Sequence, residues 1–228
     1  MGLALSALPF PFPDELTTDW MFRFLSQEWW HALSFFGDSA LTVPGACVLS
    51  VWLAANGRWR TMLRWLCAFG GAMTIVVVSK LLFMGWHIAP PWLPNFTGIS
   101  GHSASAMCFY LGLGLLLSEA KSAAARAVTV LGAALLGVTV GLSRLAIKVH
   151  SPSEVATGLV LGAVAGTWFW LGLRGPTEVL RRRFILAAFA AFMLAGSDAR
   201  PAPTQQLLQQ IALWLSGHER VYTRSEPL

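Results

Sequence analysis

Residues 71–86 read GAMTIVVVSKLLFMGW, an apolar stretch that a single charged residue, Lys80, interrupts. The stretch belongs to a longer apolar run at about 62–86, and a membrane-spanning helix needs roughly 20 such residues. A charged group in or near the hydrocarbon costs roughly 2.5–3.5 kcal/mol on insertion scales, so it usually faces a cavity or a partner. The stretch therefore predicts a spanning helix, with Lys80 either aimed at an anionic ligand or snorkelling to the interface.

The rest of the chain follows the same pattern. Of its 228 residues, 55% are hydrophobic and only 12% are charged, whereas a soluble domain carries about a quarter charged residues. Runs long enough to span lie at about 40–56, 62–86, 102–118, 124–145 and 154–172, and a shorter apolar run lies at about 184–198. We expect an all-α, polytopic membrane helix bundle with about six core transmembrane helices and an additional C-terminal apolar helix.

Three parts of the chain differ in character. Residues 1–17 are proline-rich and predict an extended lead-in, 18–200 form the helix bundle, and 201–228 form an interfacial helix and tail. Within the bundle, 18–36 could cross the membrane or lie along its surface, because Trp and Phe there alternate with polar residues. The net charge of +5 does not indicate nucleic acid, since the basic residues fill short gaps between apolar runs. The expected partners are membrane lipids.

The basic residues also predict an orientation. Arginines concentrate in alternate gaps, at 58–64 and 174–183, whereas the gaps at 87–101 and 146–153 carry little positive charge apart from Lys148. The positive-inside rule then puts the arginine-rich gaps in the cytoplasm. In a bacterial inner membrane the other two gaps would face the periplasm, and they lie beside three of the five histidines: His87, His102 and His150.

A second polar cluster opens the run at 102–118. Residues 98–103 read GISGHS, so Ser100 and Gly101 offer a capping hydroxyl and unpaired backbone N–H groups, which suit an anion. His102 in the first helical turn could transfer a proton near neutral pH. The same residues could equally be a simple helix cap followed by a polar residue at the membrane edge.

A third cluster lies at 143–154, where the sequence reads SRLAIKVHSPSE. Arg144 suits phosphate because its planar fork can donate two parallel hydrogen bonds. A carboxylate can orient a histidine and stabilise its cation, so Glu154 would make His150 a nucleophile or base. Ser151 and Glu154 also fit a helix capping box. Both interpretations can hold together, because a capping glutamate points back toward the preceding residues.

These clusters resemble the three signature blocks of the membrane-bound type 2 phosphatidic acid phosphatase family, which is related in fold to the vanadium haloperoxidases. The family pattern is Lys, six residues, Arg-Pro; then Pro-Ser-Gly-His; then Ser-Arg, five residues, His, three residues, Asp. The third block matches from Ser143 to His150 with Glu154 in place of Asp, and the second matches at 100–102. The first keeps Lys80 but has His87 where Arg is expected.

The resemblance implies a role for each matched residue. His150 would attack phosphorus and form a phosphohistidine, Glu154 would orient it, and His102 would protonate the leaving oxygen. The phosphoryl oxygens would be held by Lys80, Ser100, the Gly101 amide and Arg144, with His87 a partial substitute for the missing Arg. The scheme implies no metal and no other cofactor.

The function expected from the resemblance is a metal-independent phosphatase of a lipid phosphate or pyrophosphate at the outer face of the inner membrane. Undecaprenyl pyrophosphate, phosphatidylglycerol phosphate and a lipid A phosphate all suit that location. Two alternatives use the same residues: a phosphotransferase between lipids, and a non-catalytic relative that binds or transports a phospholipid. A metal or haem protein ligated by His87, His102 and His150 is disfavoured, because Lys80 and Arg144 would repel a cation.

Overall fold

A computed structural model describes residues 22–93, 95–118, 122–172 and 204–224, and these are helical with no strand. The helices are α1 (Gln27–Phe35), α2 (Ser39–Ala55), α3 (Trp59–Trp86), α4 (Gly101–Ser118), α5 (Ala123–Ala146), α6 (Pro152–Leu171) and α7 (Thr204–Ser216). The expected lead-in at 1–17 and the apolar run at 184–198 lie outside the described residues.

Five helical stretches in the described part of the chain are long and apolar enough to cross a membrane. Four of them are α3, α4, α5 and α6, and the fifth runs from Gln27 to Ala55 through α1 and α2. The α1 helix alone, at 1.5 Å per residue, is only roughly 14 Å long, too short to span on its own. The protein is therefore an all-α, multi-pass membrane protein, as the composition predicts.

Helix α4 lies at the centre of the bundle and is buried along almost its whole length. It packs most extensively against α5 and α6, and α3 packs against α2, α4 and α6. Aromatic rings fill the space between them, with the ring centre of Trp65 5.1 Å from that of Phe169 and 6.2 Å from that of Phe109. The large apolar side chains on the outer surface suit contact with lipid; they include Val51, Ile75, Leu135, Val160 and Leu171.

A glycine seam, formed by Gly158, Gly162 and Gly166, joins α6 to α4. A Cβ atom added at Gly158 would lie 2.7 Å from the Ser100 carbonyl oxygen, and one at Gly162 would lie 2.5 Å from the Ala104 oxygen. Residues four apart share one face of a helix, so only glycine allows the two backbones to approach this closely. The seam holds the N-terminal ends of α4 and α6 side by side.

The C-terminal segment, residues 204–224, returns to the end of the bundle where α3 ends and where α4 and α6 begin. Helix α7 packs along α3, and beyond it the Tyr222 N–H donates a hydrogen bond of 2.9 Å to the Met84 carbonyl oxygen. The last described residues therefore lie beside the end of α3, the helix that carries Lys80.

Candidate active site

The polar residues singled out from the sequence converge at one end of the bundle. The charges of Glu154, Lys80 and Arg144 act on His150, and those of Asp38, Arg144 and His150 act on His102. Helices α3, α4, α5 and α6 thus each bring at least one ionisable group to a shared polar region. A cluster with several cations and two histidines has the composition of a phosphate site.

His150 and Glu154 form the closest pair in this cluster. His150 Nδ1 lies 2.7 Å from Glu154 Oε2, and the side chain of Glu154 is fully buried. The capping box expected at the start of α6 is present: the Glu154 N–H donates to Ser151 Oγ at 3.4 Å, and the Ser151 N–H donates back to Glu154 Oε2 at 3.0 Å. One glutamate therefore both caps the helix and contacts the histidine.

The Glu154 carboxylate accepts hydrogen bonds from more groups than its own capping box. The Thr97 N–H donates to Oε1 at 2.7 Å and the Thr97 hydroxyl at 2.6 Å. Arg224 Nη2 lies 2.9 Å from Oε1 and 2.8 Å from Oε2. A buried charge is tolerated only when it is paired and hydrogen-bonded, and these donors meet that requirement. They also fix the carboxylate in one orientation toward His150.

The environment of His150 favours the neutral ring. Burial lowers the pKa of His150 below its ordinary value, and the charges of Lys80 and Arg144 act in the same direction. The hydrogen bond and charge of Glu154 oppose this but do not outweigh it. With Nδ1–H donating to Glu154, the neutral ring leaves Nε2 with a free lone pair. That nitrogen is the atom that a nucleophilic histidine uses.

The second histidine, His102, faces a carboxylate from another helix. Its Nε2 lies 3.6 Å from Asp38 Oδ2, and the His102 side chain is 26% exposed, more than twice the 11% of His150. The other oxygen of Asp38 accepts a 2.8 Å hydrogen bond from the Ala40 N–H and so caps α2. The two residues form an ion pair at this distance only when the ring is protonated.

Arg144 lies near the C-terminal end of α5 and forms a hydrogen bond with a residue of α1. Its Nη1 donates a short hydrogen bond to the Ser34 hydroxyl. Its Nε is buried and has no hydrogen-bond partner among the described residues. A buried donor without a partner is costly, and an anionic oxygen would satisfy it.

Lys80 is positioned by a close contact with Gly98. Gly98 has φ of 132°, and a Cβ atom there would lie only 2.7 Å from Lys80 Cγ. Glycine is therefore required both for the backbone conformation and for the space. The Lys80 ammonium donates to Gln205 Oε1 at 3.4 Å, a long contact that a phosphate oxygen could replace.

Ser100 and Gly101 stand at the start of α4, as expected. The Ser100 hydroxyl is buried and accepts a hydrogen bond of 2.9 Å from the Ser103 hydroxyl. The Ser100 N–H donates to the Glu154 carbonyl oxygen at 3.0 Å and ties α4 to α6. Gly101 is the first residue of the helix, where the backbone N–H groups have no partner within the helix.

His87, in the position of the missing arginine, ends α3 in the left-handed conformation with φ of 56°. Its ring stacks on Tyr222 with 4.8 Å between centres and 4° between planes. Its Nε2 is buried and lacks a hydrogen-bond partner in the described part of the chain. His87 therefore contacts the C-terminal segment directly.

Comparison with known proteins agrees with the geometry. Residues 91–177 match the PAP2 superfamily. A Klebsiella pneumoniae protein described as "Uncharacterized 22.5 kDa protein in cps region" is 37% identical over 204 residues, which cover 86% of this chain and 96% of that relative. The chain belongs to the PAP2 superfamily. No solved structure gives a significant match.

PAP2 membership confirms the resemblance to the type 2 phosphatidic acid phosphatases and supports a phosphoric ester hydrolase in a membrane. The matched range contains the second and third signature blocks, including His102, Arg144, His150 and Glu154. Lys80, His87 and Arg224 lie outside it. The first block, which α3 supplies, and the C-terminal segment thus lie outside the matched range.

Five residues of this PAP2 site escaped the sequence reasoning: Ser34, Asp38, Thr97, Tyr222 and Arg224. Asp38 left a usable signal, because it is an acid directly before a spanning run and few acids occur in this chain. The others left none, because each contacts a site residue that is far away in the sequence. In the described residues no group of three or more His, Cys, Asp or Glu is arranged to hold a metal ion.

Proposed function

We propose that this protein is a metal-independent phosphatase of a lipid phosphate or pyrophosphate, acting through a phosphohistidine at the outer face of a bacterial inner membrane. The observation that carries the proposal is the contact of 2.7 Å between His150 Nδ1 and the buried Glu154 carboxylate. A histidine held in this way presents its second nitrogen as a nucleophile.

The first step would transfer the phosphoryl group to the enzyme. His150 Nε2 would attack phosphorus while the bond from phosphorus to the leaving oxygen breaks, and Glu154 would stabilise the charge that the ring acquires. His102 would donate a proton to the leaving oxygen. The Asp38 carboxylate, 3.6 Å from His102 Nε2, would compensate the positive charge of the ring before that proton leaves.

The second step would release phosphate. His102, now neutral, would take a proton from a water molecule as the water attacks the phosphohistidine, and the P–N bond would return its electron pair to His150. In both steps the negative charge on the phosphoryl oxygens would be held by Lys80, Arg144 and the N–H groups at the start of α4. Phosphoryl transfer depends mainly on this kind of positioning and charge stabilisation.

The location of the site favours a lipid substrate. The polar cluster lies at the end of a bundle whose outer surface is apolar, so a phosphate among the cations could leave its chain in the surrounding lipid. Undecaprenyl pyrophosphate, phosphatidylglycerol phosphate and a lipid A phosphate all have this form. The weak positive charge of the flanking gaps supports a location of this end outside the cytoplasm, by the positive-inside rule.

The test is phosphate release by detergent-purified protein, in the presence of a chelator, from a panel of lipid phosphates and pyrophosphates. His150→Ala should abolish release, because no other group replaces the nucleophile. His31→Ala is the matched control, since His31 is exposed on α1 and its loss should leave release unchanged. Rapid acid-free denaturation during turnover should recover a phosphoryl group on His150. Release that survives in His150→Ala would refute the proposal, as would release that the chelator removes.

A further inference from the structure

We infer that Arg224 is a positioning residue of this site, and that its guanidinium holds the Glu154 carboxylate against His150. The inference rests on the proposed function, because it assigns Arg224 a role in the same reaction. Arg224 lies in the C-terminal segment, 70 residues from Glu154 in sequence, and outside the range that matches the PAP2 superfamily.

The contact between Arg224 and Glu154 involves both carboxylate oxygens. Arg224 Nη2 lies 2.9 Å from Oε1 and 2.8 Å from Oε2. The Glu154 side chain has no exposed surface, whereas 41% of the Arg224 side chain is exposed. The arginine therefore reaches in from the surface and places one end of its guanidinium on a buried anion.

The C-terminal segment is held at two further points near the site. The Tyr222 N–H donates to the Met84 carbonyl oxygen at 2.9 Å, and the Tyr222 ring stacks on His87. The Arg224 backbone is only two residues farther along the chain. The segment thus uses the altered position of the first block, His87, as the surface on which it docks.

The charge of the site explains why this contact matters. His150 must be neutral to attack, so before the reaction it does not balance the negative charge of Glu154. Thr97 and Ser151 donate hydrogen bonds to that carboxylate, but they carry no charge. The Arg224 guanidinium brings a positive charge into direct contact with Glu154.

Arg224 also restricts the orientation of the Glu154 carboxylate. Rotation about the terminal bond of a glutamate is broad, and Glu154 is one methylene longer than the aspartate of the family pattern. A donor between the two oxygens restricts that rotation and keeps Oε2 on His150 Nδ1. Because about 1 Å of misplacement can cost on the order of 100-fold in rate, the longer side chain needs this restraint.

Removing Arg224 should also change the hydrogen bond between His150 and Glu154. The charges that act on His150 are those of Glu154, Lys80 and Arg144, and Arg224 acts on the ring through the carboxylate that it contacts. Without the guanidinium, the Glu154 carboxylate should keep its contact of 2.7 Å with His150 Nδ1 for only part of the time. This change can be detected without turnover.

The experiment compares Arg224→Gln, Arg224→Lys and the matched control Arg220→Gln in the full-length protein. Arg220 is exposed in the same segment, so its substitution removes the same charge. We expect Arg224→Gln to lower kcat by about 10- to 100-fold and to change KM by less than about twofold, since a positioning residue acts on the nucleophile and not on bound substrate. Arg224→Lys should recover part of kcat, and Arg220→Gln should behave as wild type.

A second measurement needs no turnover. The Nδ1 proton of His150 is followed by NMR of selectively labelled protein, and Arg224→Gln should shift its resonance toward that of a ring without a carboxylate partner, while Arg220→Gln should not. An unchanged resonance would overturn the inference even if no lipid in the panel were hydrolysed. A kcat that is unchanged or higher in Arg224→Gln, or a loss confined to KM, would overturn it as well. Failure of the proposed function is distinct, because it appears as a wild-type protein that releases no phosphate.

Discussion

The site contains two histidine–carboxylate pairs that are built in opposite ways. His150 lies two residues before α6 and Glu154 lies in its first turn; their side chains are 2.7 Å apart and largely shielded from solvent. His102 and Asp38 come from different helices, lie 3.6 Å apart, and are more exposed. A buried pair with a short contact distance restricts the histidine ring to one orientation. A pair with a longer distance and more solvent exposure lets the ring change its protonation state and its hydrogen-bond partner.

This contrast fits two different tasks. A nucleophile must keep one nitrogen aimed at phosphorus, so a fixed tautomer is an advantage. A proton donor must later become a proton acceptor, so it benefits from access to the leaving oxygen and then to water. The two pairs therefore differ in the property that each step of the proposed reaction demands.

We expect the largest loss of kcat when the negative charge of the His150–Glu154 pair is removed. Glu154→Gln keeps the side-chain length but loses the anion that stabilises the ring as it becomes charged. Replacing an orienting carboxylate of this type costs about 10⁴-fold in kcat in a protease triad, and we expect a loss on the order of 10³- to 10⁴-fold here. Steady-state kinetics on the best lipid substrate measures it.

The control for that prediction is Glu219→Gln, which makes the same change at an exposed position. The loss in Glu154→Gln should be equally large for substrates with good and poor leaving groups, because attack by His150 is impaired in both. A loss below tenfold would show that Glu154 is mainly a helix cap.

We expect a smaller loss of kcat, which depends on the substrate, when the His102–Asp38 pair is changed. Asp38→Asn keeps an oxygen that can accept from the Ala40 N–H, so the cap of α2 is preserved. It removes the charge that faces His102. General acid catalysis contributes about 10²- to 10⁴-fold, and we expect a part of that, on the order of tenfold, to be lost with an alkyl phosphate.

A substrate with a good leaving group distinguishes the roles of the two histidine–carboxylate pairs. With p-nitrophenyl phosphate, whose leaving oxygen needs no proton, Asp38→Asn should react at close to the wild-type rate. If Asp38→Asn instead slows both substrates equally, the His102–Asp38 pair serves binding or folding and the contrast between the pairs fails.

The smallest effect is expected at His87, the third histidine of the site. The sequence alone suggests that His87→Arg could raise activity by restoring the family's arginine. The structure argues otherwise, because His87 stacks on Tyr222 and the C-terminal segment already brings a guanidinium to the site. We expect kcat to fall, by less than about tenfold, as the stack is lost. A clear increase in kcat would show that the first block still lacks a phosphate ligand.

Local parts of this architecture could be read from the sequence. The spanning helices follow from the length of apolar runs, and the contact between His150 and Glu154 follows from a capping glutamate, which points back toward the residues before the helix. The capping box is also local, and the structure confirms it. These features depend on residues close together in the chain, so no knowledge of the tertiary fold is needed to predict them.

The long-range parts could not be read in the same way. Asp38 meets His102 because α2 packs beside α4, and Arg224 meets Glu154 because α7 packs along α3 and the residues after α7 lie at the end of α3. Neither pair has a characteristic sequence separation that would reveal the contact in a single sequence. The segment at 18–36 was ambiguous for a related reason, since α1 becomes long enough to span only together with α2.

The glycine seam between α4 and α6 limits how this protein could evolve or be redesigned. Because the two backbones touch there, any side chain at Gly158 or Gly162 would separate the helix starts that carry His102 and Glu154. New substrate preferences cannot arise at that wall without separating the proposed catalytic groups. Substitutions at the end of α3 and in the C-terminal segment leave the seam intact, so they can change the site without separating these two helix starts.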